Sequence, residues 1–515
     1  MLARLYCHWP LAAALAVLWL TAAVLLGLSL QANQGHLVYS LDDAYIHMAI
    51  AKHTSQHGVW GLTRYQFTSA VSSLLWPLLL AACYLPAGPW EAAPLALNLI
   101  FASALLTGGY LLLRRQGCPP GYMLAVLLVV IFLTPLPTLV FAGMEHCLQA
   151  CATLVFLLLA ASALAAPKPG RETGFLLAAA PVFTATRYEH AGLVALVAAL
   201  LTLRRRPLLA AALLAGGALP LVAYGLVATS HGWPFLPTPV LLKGLLYQPP
   251  YRGLPHFIYS RLQASPLFSL VLVAVPLYIL GFDRQQGCWH RRQLLLLLFV
   301  AGALCQALLH RSSDLRYHAY LVGVGVLCLA GPLYRAPAPR RRLAVALLVL
   351  TALFLLPVGG RVQSLRLIVP ATTNIYQQQY QMAHFLQRYY RGAVVGVNDV
   401  GAVSYYADVR LLDLWGLGNA QVARARLAGR YQRPQFDQIT RQARLQVAII
   451  YHTWFTMLIP AHWRRAGTWT IPHNVACGQD TVAFYAPSAA GARRLSRQLR
   501  AYSPSLPKPV LQAIY

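Results

Sequence analysis

Carboxylates are scarce in this chain: 515 residues carry 13 Asp and Glu against 41 Lys and Arg, a formal net charge of +28. Charged residues of both signs make up only 10% of the sequence, against roughly 25% in a soluble domain, which excludes an ordinary water-soluble enzyme. Cysteine is thin as well, nine in all. The cysteines lie mostly in or beside apolar segments, no CxxC pair announces a zinc site, and no disulfide framework is implied. Cys147 and Cys151, four apart, read as packing residues on one helix face. There is no internal repeat, no low-complexity linker and no phosphate-binding glycine loop, and GVNDVG (396–401) lacks the spacing of a dinucleotide fingerprint. The basic excess does not point to nucleic acid. Lys and Arg fall in short clusters between apolar runs, as in a polytopic protein oriented by cytoplasmic cations, so no nucleic-acid partner is expected.

What is plentiful is apolar sequence: 58% hydrophobic residues and a mean hydropathy of +0.55. Runs long enough to cross a bilayer recur from residue 11 to residue 358. Arg4 precedes an apolar run from Leu11 to Leu30, longer than a signal-peptide core, which reads as a retained first span with a cytoplasmic N-terminus. Further spans are predicted over 92–113, 121–141, 146–166, 173–186, 188–203, 208–229, 263–282, 293–310, 317–334 and 342–358, about 11 transmembrane helices with the first. Alternate connections then carry Arg114–Arg115, Lys168 with Arg171, Arg204–Arg205–Arg206, Arg284 with Arg291–Arg292, and Arg335 with Arg340–Arg341–Arg342, all cytoplasmic. The opposite connections hold Asp42–Asp43, Glu145, Glu189 and Asp314. This order requires SAVSSLLWPLLLAACYL (69–85) to be a juxtamembrane or partly inserted helix of a first external loop, 31–91, because a span there would move every later basic cluster outside.

After Pro357 the texture changes. The chain divides into a polytopic α-helical membrane domain, 1–358, and a soluble α/β domain, 359–515. QQQYQMAHFLQRYY (377–390) has helical periodicity, while GAVVGVND (392–399) and LQVAIIYHT (445–453) read as buried strands. GAVSYYA (401–407) reads as a short helix before DVRLLDLWGL (408–417). An odd number of spans places this domain outside the cytoplasm. Its acids Asp399, Asp408 and Asp413 read as turn or strand-end residues, so the domain is assigned to acceptor recognition, not donor chemistry.

The order of motifs resembles that of bacterial GT-C membrane glycosyltransferases. DDAYI, KHTSQHGVWGL and TSAVSSLLWPLLLA look like that superfamily's first external loop, an acidic motif before a juxtamembrane helix. GMEHCLQACATLVFLLLA (143–160), TRYEHAGLVALVAALLTLRRR (186–206), PFLPTPVLLKG (234–244) and VNDVGAVSYYADVRLLDLWGL (397–417) continue the likeness over most of the chain. The subgroup it most resembles contains the terminal arabinofuranosyltransferases of mycobacterial cell walls and mannosyltransferase-like relatives. TRYEH stands where Thr-Arg-Pro-Glu-Gly is usual there, and PTPVLLK where Pro-Asn-Thr is common. The resemblance implies a multi-pass protein of the bacterial inner membrane, with a periplasmic or extracellular C-terminal domain. It implies transfer of a sugar from a polyprenyl-phosphate donor to a glycan, lipid or protein acceptor of the cell envelope.

That chemistry needs a base for the acceptor hydroxyl and cations for the leaving phosphate. Asp42 is the candidate base and Asp43 the competing one, orienting the acceptor or joining Glu145 in a metal site for Mg²⁺ or Mn²⁺, an alternative that stays open. The plainer reading is a Ser40-x-x-Asp43 capping box. Glu145 and Glu189 read as carboxylates at external helix ends. Arg187 is read either as a phosphate ligand or as the partner of Glu189, and Lys243, Arg252, Arg261 and Arg316 join it as donor-phosphate candidates. His310 and Arg311 flank a further external junction. His47, His53 and His57 match no metal signature and read as polar surface residues, with His47 and Glu189 assigned to acceptor contact or structure. A lipid-linked-sugar transporter or flippase, and an inactive envelope-assembly subunit, are the alternatives.

Overall fold

The computed structural model describes residues 2–246, 266–280, 290–309, 315–335 and 358–515. Among these, five helices are long and apolar enough to cross a membrane: His8–Ala32, Ala93–Arg115, His146–Ala165, Pro207–Ser230 and Arg316–Arg335. The single span predicted over 121–141 is instead a pair, Pro120–Leu133 and Leu136–Ala142, bent by 41°. Pro135 and Pro137 lie at the break, where each removes a backbone donor from the helical ladder. Arg171–Thr186, His190–Leu203, Pro266–Leu280 and Arg291–Leu309 fill the other expected places. The predicted span 342–358 lies outside the described residues, except Val358. The segment read as juxtamembrane forms the helix Leu75–Tyr84, whose rise of about 15 Å is half a bilayer core.

The bundle turns large apolar side chains outward, among them Leu20, Val24, Phe175, Leu208, Leu219 and Leu226, as a protein built for an apolar solvent does. Its two ends differ in charge. At one end Arg206 donates to the carbonyls of Ala163 and Ala166, and Arg335 to that of Gln116, so cations neutralise the C-terminal ends of helices. Asp42, Glu145, Arg187 and Arg316 gather at the other end, where these helices begin or return.

The C-terminal region is built on a six-stranded mixed sheet of order β2-β1-β3-β5-β4-β6. Its strands are β1 (Val394–Val397), β2 (Arg410–Asp413), β3 (Val447–Ile450), β4 (Arg464–Thr470), β5 (Thr481–Ala486) and β6 (Leu511–Ile514). β1 runs parallel to both β2 and β3, and the remaining pairs are antiparallel. Val447 and Ile449 enter one apolar cluster with Phe385, Trp469 and Leu499, while Ala448 and Ile450 enter another with Phe436 and Trp463. The alternation of a strand thus serves two buried faces, which is why these segments are apolar throughout. The strand and short-helix expectations for 392–399, 401–407 and 445–453 match β1, the helix Gly401–Tyr406 and β3.

The chain leaves β1 for β2 on one side and returns to β3 on the other. The order therefore reverses beside β1, and the crevice at the C-terminal ends of β1 and β3 is where sheets of this kind present their functional groups.

Candidate active site

Asp42 precedes the helix Asp43–His57 but does not cap it with its side chain. Its Oδ2 accepts from the Gly401 N–H at 2.7 Å and its Oδ1 from the Ala402 N–H at 2.8 Å. The carboxylate therefore caps the first turn of the helix Gly401–Tyr406, which follows β1. A side chain at position 401 has no room: a Cβ there would lie 2.0 Å from the Asp42 carbonyl oxygen. The Ser40–Asp43 capping box does not form. Ser40 instead bonds the Phe141 carbonyl through both its N–H (3.0 Å) and its hydroxyl (3.1 Å). The Asp43–His57 helix stays pinned along its length, with Lys52 Nζ donating to the Tyr405 carbonyl at 2.7 Å. Further along, Arg64 pairs with Asp408 at 2.8 Å, and Thr238 donates to the Leu417 carbonyl.

Asp399 meets Asp42 from the sheet side. It follows β1 and accepts from Gln379 Nε2 at 2.8 Å and from Asn398 Nδ2 at 3.2 Å. The Tyr451 hydroxyl, just past β3, lies 2.5 Å from Asp399 Oδ2 and 2.8 Å from Gln378 Oε1, with one proton to share between them. Gln378 and Gln379 belong to a five-residue π-helical turn, Tyr376–Tyr380, all of it buried. Such turns concentrate at functional sites. Gln378 also donates to the carbonyls of Gln479 and Asp480, so this buried polar group is knitted together.

Asp42 and Asp399 are ringed by protein yet keep accessible surface, as side chains lining a deep cleft do. Burial first, and then the negative charge of Asp399, push the Asp42 carboxyl up to about 8 against the pull of its two backbone donors. Burial also raises Asp399, opposed by its Tyr451, Gln379 and Asn398 partners. Both carboxyls thus resist ionisation more than a free carboxylate does.

A second grouping lies behind. Glu145 and Glu189 stand at the N-caps of His146–Ala165 and His190–Leu203, as expected, but neither side chain caps its helix. Both turn to Arg187, whose Nη1 reaches Glu145 Oε1 at 2.7 Å while Nε and Nη2 clasp Glu189 at 3.0 and 2.7 Å. Burial disfavours the Glu145 charge, but Arg187 and His47 outweigh it and bring the carboxyl down to about 2. The Arg316 guanidinium lies 3.3 Å from Asp43 Oδ2 and 3.4 Å from Met144 Sδ. The Tyr317 ring has Arg187 at 5.5 Å and Arg316 at 5.3 Å.

The predicted residues therefore separate. Asp42 faces the sheet, Asp43 faces Arg316, and Arg187 is buried between two glutamates in the pairing that its neighbour Glu189 suggested. His47 is a correction: it is 2% exposed, with Nε2 3.7 Å from Glu145, because its helix face is covered by the bundle. His53 is buried too, beside the Ser404 carbonyl, while His57 is exposed as read. Arg252, Arg261, His310, Arg311 and the side chain of Lys243 lie outside the described residues. Among the described residues no group of three or more His, Cys, Asp and Glu is placed to hold a metal. Asp43 and Glu145 each face a guanidinium instead, a donor set that does not fit a divalent cation. The residues missed in the sequence are Asp399, Tyr451 and Gln379. Their signals were an acid directly after a buried strand and a glutamine triplet inside a helical period.

A family model described as Domain of unknown function (DUF8728) matches residues 373–485, which include Gln379, Asp399 and Tyr451 but not Asp42. No curated protein matches the chain. Among solved structures, the chain is similar to ArnT from Cupriavidus metallidurans bound to undecaprenyl phosphate. The TM-score is 0.49 at 13% identity, over 92% of this chain and 98% of that one. The apo state of the same protein gives 0.49 at 15% identity, over 93% and 99%. An oligosaccharyltransferase from Archaeoglobus fulgidus, in complex with Zn and sulfate, gives 0.46 at 11% identity, over 96% of this chain and 74% of its own.

Proposed function

We propose that this chain is an integral-membrane glycosyltransferase that moves a sugar from a polyprenyl-phosphate donor to a cell-envelope acceptor, with Asp42 as general base. The observation that carries the reading is the Asp42–Asp399 pair: two carboxyls lining a deep cleft at the junction of an apolar bundle and an α/β sheet, one held by the Gly401 and Ala402 N–H groups and the other by Tyr451 and Gln379. A base poised near the working pH is what removal of a hydroxyl proton requires. The Gly401 and Ala402 N–H groups aim the carboxylate, and Asp399 raises its basicity. In the step itself the acceptor oxygen bonds to the anomeric carbon and its proton passes to Asp42. The bond from the anomeric carbon to the phosphate oxygen breaks with its electron pair, releasing polyprenyl phosphate. Arg316, beside Asp43, is the cation assigned to the leaving phosphate, with Lys243, Arg252 and Arg261 as further candidates. Arg187, already paired twice, is assigned to holding Glu145 and Glu189.

Gathering of basic clusters at one end of the bundle and of the site at the other supports an external site, a cytoplasmic N-terminus and residence in the bacterial inner membrane. The resemblance of the motifs supports a sugar and acceptor of the terminal arabinofuranosyltransferase or mannosyltransferase-like kind. A flippase is disfavoured because the acid pair lies outside the long apolar helices, where coupling carboxylates would be expected. The deciding experiment incubates the purified protein with a panel of polyprenyl-phosphate sugars and follows release of polyprenyl phosphate. Release with a sugar appearing on acceptor supports the proposal, and movement of intact donor across vesicles without release refutes it.

A further inference from the structure

The edge that carries Asp399 after β1 also carries two tryptophans. Trp415 stands two residues past β2, and Trp454 lies in the short helix His452–Phe455 past β3. Their ring centroids are 4.9 Å apart, and that of Trp454 is 5.0 Å from Tyr451, whose hydroxyl reaches Asp399. Aromatic surface therefore runs from an indole that is 36% exposed to the carboxyl pair without a break.

Both indoles are held in place. Asp413 accepts from the N–H groups of Trp415, Gly416 and Gly418 at 2.7, 2.9 and 2.6 Å, fixing the turn that carries Trp415. The Arg426 guanidinium stacks over the same ring at 3.7 Å. The Trp454 backbone N–H donates to the Tyr451 carbonyl at 3.1 Å, and its ring rests on Gly478, where a Cβ would lie 2.7 Å from Cζ2. Neither indole N–H has a hydrogen-bond partner among the described residues. A tryptophan serving only as core would be enclosed like Trp469, which is fully buried.

A rigid, half-open aromatic face with a donor at its rim suits a sugar ring, which offers flat C–H surface and peripheral hydroxyls. We infer that Trp454 and Trp415 form an acceptor subsite that stacks a neutral sugar ring of a glycan chain and leads its end to Asp42. This rests on the transfer reading above and adds to it the residues that hold the acceptor and the face of the sugar they read.

The test uses the full-length protein in lipid nanodiscs and the variants Trp454→Ala and Trp454→Phe. Intrinsic fluorescence is titrated with neutral arabinan, mannan and glucan oligosaccharides, and transfer and donor hydrolysis by water are measured in parallel. Trp454→Ala should weaken binding of the recognised oligosaccharide and raise its KM about tenfold, with a smaller effect on kcat. Trp454→Phe should restore most of that loss, because a ring remains. Equal binding by wild type and Trp454→Ala, or binding of none of the oligosaccharides by wild type, overturns the subsite. Oligosaccharide binding without donor turnover would uphold the subsite and refute the transferase reading, so the two are separable.

Discussion

Gly401 and Asp42 are 359 positions apart in sequence, yet the Gly401 N–H donates to Asp42 Oδ2 at 2.7 Å. This bond and its neighbour at Ala402 tie the sheet region to the loop after the first long helix. They make the candidate base a shared possession of both parts of the chain.

Gly401→Ala should break that tie. The added carbon falls on the Asp42 carbonyl oxygen, and backbone cannot yield as a side chain end can, so the short helix must retreat from the carboxylate. Turnover should fall at least as far as in an Asp42 variant, while the strands keep their fold. Limited proteolysis around residues 33–42 and an activity assay would check this, and wild-type behaviour in both would contradict the docking.

Asp42→Asn should lower turnover by about 10²–10⁴, the usual worth of a general base, with donor binding retained. Asparagine offers its one oxygen to only one of the Gly401 and Ala402 donors and turns its amide N–H₂ toward the other, so a stability loss of about 1–3 kcal/mol is expected. Asp43→Asn should act through Arg316 and weaken donor affinity more than it slows the chemical step. Near-normal turnover in both variants would remove the main reason for reading the protein as an enzyme.

The pH profile carries a sign. The base must be ionised, and with the Asp42 carboxyl raised to about 8 activity should climb with pH through that region and be lost below it. Asp399→Asn removes the negative neighbour, so the acidic limb of kcat/KM should move to lower pH. An unmoved limb would show that the two carboxyls do not interact. For stability the sign is the reverse: a raised carboxyl favours the native state below the unfolded value of about 4, and that contribution is lost as pH rises through 8.

Glu145→Gln should destabilise the protein by about 3 kcal/mol, the lower end for breaking a buried pair, since Glu189 still neutralises Arg187. Because the Glu145 carboxyl is held down near 2, its stabilisation is present above about 4 and lost as the pH falls toward 2. Glu189→Gln should cost less, its side chain being 16% exposed. Thermal melts of the three proteins in one detergent would rank them.

Cysteine probes test the orientation. A probe at Ser55 and one in the sheet region should label from outside, and one at Arg205 should not. Labelling of Arg205 from outside would invert the arrangement.

Much of the architecture was written in local pattern. Apolar runs, their basic borders and the buried strands of 392–399 and 445–453 follow from periodicity and length. Local pattern failed where neighbours in space are distant in sequence. His47 sits in a polar-looking stretch, and nothing nearby says that the bundle will cover it. Pro135 and Pro137 were visible, but one continuous apolar run from 121 to 141 concealed the bend they make.

The sequence alone determined that acids are few, that the chain belongs in a membrane and that Asp42 and Asp43 head a helix, because composition and spacing are properties of neighbours. Only the tertiary structure decided that these two acids part, one toward Asp399 and the sheet, the other toward Arg316. Adjacent side chains on a helix diverge by about 100°, and which partner each one meets depends on chain segments hundreds of residues away. The proton affinity of Asp42 comes from the same source: burial and the charge of Asp399 are supplied by packing, and no stretch of sequence contains them.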